Sequence, residues 1–363
     1  MKKKILIINT AGMGLGGITT HILTYLEAII GDCPNLSVTI GVTGLRDDDV
    51  ILRFQKLGCE IVDLPNRKKN VLSYMKEINK LMHKHQFDVL HVHGNSGTMV
   101  IELFCGLLNH IPIRIAHCHN SVSNHMLVHK ILGPLVTKTY TNAFACSDLA
   151  GEWLFGKNGY VVLPNAIDLS KFHFSSGIRE KKRAELGIPV SKKIIGHVGN
   201  FNHQKNHVFL VNVFKEILKQ EDSILLLVGT GALEPVIKEI VHDEGLSDKV
   251  IFLGLRDDVY DWMQAMDCFI FPSKWEGFGT VLIEAQASGL PVLSADTAPD
   301  SVKINSNFIF MSLDSSPWQW AQQACNLIES DKNVRCVDVK KFSNYDVSCT
   351  KKIIEEVYHI QGR

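Results

Sequence analysis

The amino-acid sequence predicts an α/β protein that contains two doubly wound parallel sheets. Short apolar runs alternate along the chain with amphipathic segments in which apolar residues recur at helical spacing. Such alternation is typical of parallel sheets that are covered by helices on both faces. The alternation pauses once, in the turn-rich stretch 164–176, and the length of 363 residues suits two domains. We therefore predict a first domain over 1–165 and a second over 176–345.

Each predicted domain has its own series of strands. In the first domain the strand-like runs are 4–9, 37–42, 60–64, 88–92, 112–117, 142–146 and 160–163. In the second they are 193–198, 223–228, 249–252, 267–271, 291–294 and 307–311. A helix is predicted between most successive strands, for example over 70–85. A last helix within 346–363 is expected to pack back on the first domain.

The composition excludes several other classes of protein. Hydrophobic residues make up 45% and charged residues 21%, the profile of a globular protein rather than of a disordered or fibrous chain. Lysine plus arginine and aspartate plus glutamate number 38 each, so no basic field indicates a nucleic-acid partner. The apolar run after Lys2, Lys3 and Lys4 is too short for a signal peptide or a membrane span. These features, with nine cysteines and no C-x-x-C pair, predict a cytoplasmic protein.

A glycine-rich loop follows the first strand. Gly12, Gly14 and Gly17 fit the pattern G-x-G-x-x-G, and a helix is predicted to begin near Ile18. Small residues at this position let backbone N–H groups approach phosphate oxygens. A nicotinamide site also needs an acidic residue at the end of the second strand, and 37–44 contains none. The sequence therefore argues against a dehydrogenase, and a tight turn without a ligand remains an alternative.

The most informative stretch of the second domain directly follows the strand 267–271. Gly277 and Gly279 allow close approach of the backbone, and the helix predicted after them offers unpaired N–H groups to a diphosphate. Glu276 precedes this helix, and Glu284 lies just over one turn into it. Carboxylates on both sides of a phosphate site suit a nucleotide-sugar, because each can accept hydrogen bonds from vicinal hydroxyls. The alternative is one capping and one core-facing glutamate.

Glu276 and Glu284 also form an E-x7-E motif, and the phrases 196–206, 252–254 and 283–291 agree with it. On these motifs the sequence resembles the retaining family-4 glycosyltransferases of the GT-B fold, in particular the branch that builds bacterial capsules and exopolysaccharides. The resemblance covers nearly the whole chain. It implies two Rossmann-like, doubly wound parallel-sheet domains that face each other across a cleft.

The resemblance also implies a reaction. Enzymes of this kind move a hexose or N-acetylhexosamine from a nucleotide-diphosphate sugar to a hydroxyl of a saccharide, with retention of anomeric configuration and without a metal or other cofactor. UDP is expected rather than GDP, and the expected acceptor is linked to a polyprenyl diphosphate, as in capsule, exopolysaccharide or O-antigen synthesis. Two alternatives stay open: a nucleotide-sugar epimerase of the same fold, and a catalytically impaired subunit that acts as a partner-binding scaffold.

Individual residues acquire roles from the same resemblance. Glu284 would hold the ribose hydroxyls, Glu276 the donor sugar, and Lys205 would neutralise the diphosphate that leaves. His119 would lie beside the donor sugar, and His93 and His119 would line the acceptor side. The further donor-binding positions are Gly16, Gly17, Gly199, Asn200, Leu255, Arg256, Gly277, Phe278, Gly279 and Thr280. Glu276, Lys205 and His119 are the expected catalytic residues.

One position departs from the family pattern. Asn200 stands where the family usually has an arginine that shares the phosphate charge with the lysine. Asparagine donates a hydrogen bond but carries no charge. Two outcomes stay open: weaker activity, or substitution of the missing charge by another cation, Lys274 or Arg256.

Histidine pairs in the first domain have a spacing that metal sites also use. The pairs are His91 with His93, His117 with His119, and His125 with His129. No carboxylate accompanies them, so no metal is predicted, and His117 is expected to be a core histidine. Cys118 should point away from its neighbouring histidines, because adjacent side chains of a strand face opposite sides.

Basic and apolar residues of the first domain suggest a membrane contact. Arg67, Lys68 and Lys69, with lysines at 76, 80 and 84, form a basic edge, and an apolar run over 126–136 lies nearby. This combination predicts peripheral contact with an anionic membrane surface at the inner face of the plasma membrane. A solvated helix face is the alternative.

Overall fold

The computed structural model describes residues 2–14, 16–120, 126–330, 335 and 337–360. The chain divides into two compact units, one made of Met1–Ile167 and Asn344–Arg363 and the other of Asp168–Ser343. Each unit contains one parallel sheet covered by helices.

The N-terminal unit holds a seven-stranded sheet in the order β3-β2-β1-β4-β5-β6-β7. The strands are β1 (Lys3–Asn9), β2 (Leu36–Val42), β3 (Glu60–Asp63), β4 (Val89–Gly94), β5 (Ile113–Cys118), β6 (Asn142–Ala145) and β7 (Val161–Val162). All neighbouring strands run parallel. The central strands are buried over most of their length, which is why they read as continuous apolar runs.

Helices connect these strands and cover the sheet. They are α1 (Gly17–Ile30), α2 (Asp48–Lys56), α3 (Val71–His85), α4 (Val100–Leu108), α5 (Met126–Val136) and α6 (Asp148–Phe155). Side chains cap several of them: Asp47, Asn70 and Ser147 accept hydrogen bonds from first-turn N–H groups of α2, α3 and α6. The helix α1 instead begins after Gly16, which offers no side-chain cap.

The C-terminal unit holds a six-stranded sheet in the order β10-β9-β8-β11-β12-β13. Its strands are β8 (Lys193–Val198), β9 (Ser223–Val228), β10 (Val250–Gly254), β11 (Cys268–Phe271), β12 (Val292–Ala295) and β13 (Phe308–Met311). Its helices are α7 (Ser176–Glu185), α8 (His207–Ile217), α9 (Glu234–Asp243), α10 (Val259–Ala265), α11 (Thr280–Ala287) and α12 (Pro317–Ser330). All its strand pairs are parallel.

The last helix, α13 (Val347–Tyr358), belongs to the N-terminal unit. It packs against α1, and Ile354 and Tyr358 are fully buried in the core that α1 and α2 share. The backbone of Ile167 fixes the entry to this helix, because its N–H donates to Tyr345 O and its carbonyl accepts from Val347 N–H.

The predicted α/β class and every predicted strand are confirmed, with ends shifted by one or two residues. In each unit the strand order reverses beside the first strand, between β1 and β4 and between β8 and β11. Such reversal points are where open parallel sheets bind ligands, at the carboxyl ends of the strands. Among the residues that the structure describes, no helix has the length and apolar character needed to cross a membrane.

Candidate functional site

The sheet of the C-terminal unit brings two loops together at its reversal point. The strands β8 and β11 are hydrogen-bonded neighbours, and each is followed at its carboxyl end by an irregular loop, 199–206 after β8 and 272–279 after β11. The predicted donor-binding residues are concentrated in these two loops and at the start of α11.

A salt bridge joins the two loops. Lys205 Nζ lies 2.6 Å from Glu276 Oε1, and the two side chains are only 16% and 7% exposed. The ammonium also lies 4.4 Å from the centre of the Phe271 ring. Because water is largely excluded from this pair, its charges act more strongly on a bound ligand than exposed charges would. The predicted phosphate cation and the predicted sugar carboxylate are therefore in direct contact.

Gln204 ties the same loops by hydrogen bonds. Its side-chain Nε2 donates to Trp275 O at 2.8 Å and to Glu276 Oε1 at 3.3 Å. Its backbone carbonyl accepts a hydrogen bond from Lys274 N–H at 2.8 Å. These contacts fix the direction of the Glu276 carboxylate. Gln204 was not predicted from the sequence, because its partners lie about seventy positions away and no spacing rule connects them.

Glycines let the loops after β8 and β9 pack closely. Gly229 has a φ of +133°, and a Cβ there would collide with Gly199 O. A Cβ on Gly231 would lie 2.6 Å from Phe201 O. A Cβ on Gly199 would lie 3.2 Å from the stem of Lys205, so the bare backbone leaves room for the lysine. Gly199 thus has a packing role beside the phosphate-binding role that the resemblance implies.

The helix α11 begins with Thr280, directly after Gly279, whose φ is +81°. Gly279 provides no side-chain cap, so the first turn of α11 keeps N–H groups that can serve an anion. Gly277 and Phe278 follow Glu276 in the sequence and precede the first turn of α11, and both are buried.

Glu284 lies in the second turn of α11 and is partly exposed. Burial raises the pKa of its carboxyl to about 7. Within the described part of the chain, no cation and no hydrogen-bond donor pairs with this carboxyl. A carboxyl that is poorly solvated and lacks a protein partner is suited to accept hydrogen bonds from ligand hydroxyls.

The loop after β10 carries Leu255 and Arg256. Leu255 is exposed, and the Arg256 guanidinium donates two hydrogen bonds to Asp258, at 2.8 and 2.9 Å. The contact with Arg256 holds the pKa of Asp258 well below its usual range. Arg256 is thus committed to Asp258, which weakens the expectation that it replaces the missing family arginine. The Lys274 side chain is exposed in the loop beside Glu276, and Asn200 is exposed next to Gly199.

The glycine loop of the N-terminal unit contains packed and open glycines. Gly12 has a φ of +103° and, like Gly14, is packed against Leu45. Gly16 and Gly17 have no atom within 4 Å of the position that a Cβ would take. The first pair is therefore required by the fold, whereas the second leaves an open backbone at the start of α1. Leu15, between them, lies outside the described residues.

The two predicted acceptor-side histidines are inside the N-terminal unit. His93 Nδ1 lies 2.9 Å from His119 Nε2, Tyr25 Oη lies 3.2 Å from His93 Nε2, and His119 Nδ1 lies 3.0 Å from Asn165 Oδ1. Both ring nitrogens of each histidine are therefore engaged within this unit. Tyr25 and Asn165 were not identified from the sequence, because their partners His93 and His119 lie 68 and 46 positions away, respectively.

Other predicted features of this unit have structural roles. Cys118 is buried, and burial raises the pKa of its thiol to about 12, as expected for a core cysteine. His129 accepts a hydrogen bond from Gly97 N–H and stacks on Trp153, and its predicted pair partner His125 lies outside the described residues.

Arg67 was expected on the basic edge, but it is buried. Its guanidinium Nε lies 3.3 Å from Glu102 Oε1, and its side chain is 8% exposed. Glu102 is fully buried in α4 and requires this cation, and Tyr74 Oη donates to it at 2.8 Å. The basic edge therefore consists of the exposed lysines alone.

The architecture and the loop site define the class of protein. Two parallel-sheet units, one with a lysine, two carboxylates and an open helix start at the sheet's reversal point, agree with the resemblance to glycosyltransferases of the GT-B fold. Residues 178–335 match the family described as Glycosyl transferases group 1. EpsF of Bacillus subtilis, a glycosyltransferase by name, is 30% identical over 338 residues, which cover 88% of this chain and 86% of EpsF. The chain belongs to the glycosyltransferase group 1 family.

Two further relatives and a solved structure extend this result. CapH of Staphylococcus aureus, a capsular polysaccharide biosynthesis glycosyltransferase, is 24% identical over 89% of both chains. An Escherichia coli galactosyltransferase, named for transfer from UDP-Gal to GlcNAc-diphosphoundecaprenol, is 26% identical over 86% of this chain and 81% of its own. The crystal structure of HepE from Anabaena with UDP has a TM-score of 0.79 at 18% identity, covering 99% and 100% of the chains. The predicted GT-B fold is confirmed.

Proposed function

We propose that this chain transfers a hexose or N-acetylhexosamine from a UDP-sugar to a hydroxyl of a polyprenyl-diphosphate-linked saccharide, with retention of the anomeric configuration, in capsule, exopolysaccharide or O-antigen synthesis. The observation that carries the proposal is the contact between Lys205 and Glu276 in front of α11, with Glu284 unpaired in the next turn. The names of the E. coli relative and of the HepE complex support UDP, and the former supports the lipid-linked acceptor.

The residues of this site have two roles, which are binding of the donor and stabilisation of the leaving group. Glu284 accepts hydrogen bonds from the ribose hydroxyls, and Glu276 holds a hydroxyl of the donor sugar. Lys205 and the first N–H groups of α11 stabilise the negative charge that grows on the diphosphate as the bond to the sugar breaks. Because a lysine and a helix start supply this charge, we propose that the reaction needs no metal or other cofactor.

The acceptor's proton needs a base, and Glu276 is held by Lys205 and Gln204. We propose that the leaving phosphate oxygen takes this proton while the acceptor oxygen attacks the same face of the sugar. The sugar–phosphate bond breaks, the new glycosidic bond forms, and UDP leaves with the proton. The anomeric configuration of the product, read by NMR, tests this step: an inverted product contradicts it.

Calorimetric titration of the protein with UDP, GDP and NAD in EDTA tests the proposal. We expect UDP to bind and the variant Glu284→Ala to abolish binding. The matched control is Glu329→Ala, an exposed glutamate of α12 in the same unit, which should bind as the unchanged protein does. Binding of NAD alone would overturn the proposal, and absence of all binding would favour the scaffold alternative.

We also propose that the N-terminal unit docks on an anionic membrane, the inner face of the plasma membrane, where a lipid-linked acceptor would reside. On α5 the side chains of Leu127, Ile131 and Leu135 recur every fourth residue and are 73%, 63% and 46% exposed. The neighbouring α4 exposes Phe104, Leu107 and Leu108. The next helix, α3, carries exposed lysines at 76, 80 and 84. Apolar side chains beside lysines are typical of interfacial binding.

Sedimentation with vesicles of phosphatidylglycerol and phosphatidylethanolamine at low salt tests the membrane contact. The protein should sediment with the vesicles, and Ile131→Glu should remain in the supernatant. Val236→Glu is the control, because Val236 is 45% exposed on the C-terminal unit. Sedimentation of Ile131→Glu equal to that of the control would exclude this surface.

A further inference from the structure

Two adjacent strands of the N-terminal unit place three imidazoles together in the interior. His91 and His93 lie on β4, and His117 lies on β5 in register with His93. All three are fully buried, and one nitrogen from each lies within 4.8 Å of the others. His91 Nε2 and His117 Nδ1 are 3.3 Å apart. Two nitrogens bound to one tetrahedral zinc ion at about 2.0–2.1 Å are separated by about the same distance.

We propose that His91, His93 and His117 bind a divalent transition-metal ion of the zinc type, which stabilises the N-terminal unit. The site is separate from the Lys205–Glu276 loops of the C-terminal unit, but it adjoins His119, which the resemblance places beside the donor sugar, because His93 Nδ1 lies 2.9 Å from His119 Nε2. The proposal does not rest on the proposed function.

The outer contacts of two ligands orient them toward the ion. Tyr358 Oη lies 2.7 Å from His91 Nδ1, and Tyr25 Oη lies 3.2 Å from His93 Nε2. If each of these nitrogens carries the hydrogen and donates it to the phenol oxygen, His91 Nε2 and His93 Nδ1 carry lone pairs. His93 Nδ1 faces His119 Nε2 at 2.9 Å, so binding of the ion replaces the hydrogen bond that these two nitrogens form in its absence. Ligating histidines commonly hold their second nitrogen in this way.

A fourth ligand derived from water satisfies two further histidines. His21 Nδ1 accepts from Ala166 N–H at 3.1 Å, so Nε2 carries the hydrogen, yet this buried nitrogen has no partner among the described residues. His119 donates through Nδ1 to Asn165, so its Nε2 is an acceptor. The His21 ring lies 5.4 Å from the His117 ring and 5.6 Å from the His119 ring. A metal-bound hydroxide accepts from His21 and donates to His119.

The same hydroxide reduces the charge that the unit must bury. Among the described residues, the side chains that stack on or hydrogen-bond to these imidazoles are histidines, tyrosines, Asn165 and Phe144, none of which is a carboxylate. Water bound to zinc loses a proton near neutral pH, so one of the two positive charges is cancelled at the ion. Metal ions bind the neutral form of the imidazole, and all three rings are fully buried.

Metal analysis of the protein without a polyhistidine tag tests this proposal. After incubation with zinc and gel filtration, mass spectrometry should find about one ion per chain. The variant His91→Gln should lose it, whereas His207→Gln, which alters a buried histidine of the C-terminal unit, should keep it. A retained ion in His91→Gln, or equal zinc in all three proteins after a chelator wash, would overturn the proposal.

A second measurement covers the case in which His91→Gln fails to fold. Cobalt added to the unchanged protein should give the visible absorption of tetrahedral coordination, and zinc should abolish it. Removal of the ion by a chelator should lower the melting temperature of the N-terminal unit without affecting UDP binding. Absence of both the absorption and the shift means that the imidazoles form a neutral hydrogen-bonded network instead, and the proposal falls.

Discussion

Glu284 has an ionisable carboxyl in a poorly solvated position, and in the protein without ligand this position disfavours the charged form. It lies in a poorly solvated position of α11, and burial raises the pKa of its carboxyl to about 7. Ribose hydroxyls would donate hydrogen bonds to the ionised form, so a bound nucleotide should lower this pKa again. Binding near neutral pH then competes with protonation.

The pH dependence of UDP binding follows from this competition. Because the ionised fraction falls about tenfold from pH 8 to pH 6 when the pKa is near 7, the dissociation constant should rise by about the same factor. UDP itself also titrates in this range, so the variant Glu284→Gln provides the reference and should show a weaker dependence. Calorimetry at both pH values measures the difference. Identical pH profiles for the two proteins would show that Glu284 does not bind the nucleotide in its ionised form.

Asn200 offers a test of the missing family arginine. It is exposed beside Gly199, whose backbone lies against the stem of Lys205. An arginine there would add a second cation near the expected diphosphate, and we expect Asn200→Arg to bind UDP about fivefold more tightly, which corresponds to about 1 kcal/mol. The control Asn200→Gln adds length without charge and should change binding little. Weaker binding by the arginine variant would mean that asparagine is adapted to the native donor.

Residues that carry a recognisable motif could be predicted from the sequence, whereas the residues that contact them in the structure could not. Glu276 and Glu284 have a fixed spacing and flank glycines, so the chain itself indicates their use. Gln204 contacts Glu276 across two loops, and Tyr25 on α1 contacts His93 on β4. Such contacts arise only when the sheet brings distant segments together. Spacing also could not show that His93 and His119 bond to each other.

At the scale of elements, the loops after β8 and β11 work as one unit. The Gln204 amide spans them, whereas its backbone carbonyl binds the N–H of Lys274. A shortened side chain would leave the backbone contact and the Lys205–Glu276 pair in place but free the Glu276 carboxylate to rotate. The strand pattern predicted where these loops begin, since each β-strand is a short apolar run. It did not predict the tie between them.

The variant Gln204→Ala should therefore reduce transfer more than binding. We expect kcat to fall about tenfold, because a misoriented carboxylate near a reacting sugar costs about that much, while UDP affinity stays within a factor of two. The conservative variant Gln204→Glu removes the amide donor and repels Glu276, so it should be worse than alanine. Steady-state kinetics with separate calorimetry distinguish the two effects. An equal loss of affinity and kcat would indicate a general disturbance of the loop rather than lost positioning.

At the scale of the whole molecule, the N-terminal unit depends on a helix from the far end of the chain. A last helix within 346–363 was predicted to pack back on the first domain, and the structure packs α13 on α1, where Ile354 is fully buried. The helix also brings Tyr358 to His91. During synthesis α13 follows the entire C-terminal unit, so it can pack on the N-terminal unit only late in folding.

The variant Ile354→Ala should separate the stability of the two units. Removal of a buried isoleucine side chain costs about 2–5 kcal/mol, because apolar contacts are lost and a cavity is left. The cost should appear in the unfolding of the N-terminal unit, while UDP still binds to the C-terminal unit with unchanged affinity. Glu356→Ala, on the exposed face of the same helix, is the control for helix changes without burial. Calorimetric melting with and without UDP makes the comparison. If Ile354→Ala lowered UDP affinity as well, UDP binding by the C-terminal unit would depend on α13, which would contradict the proposal that the C-terminal unit binds UDP independently of this helix.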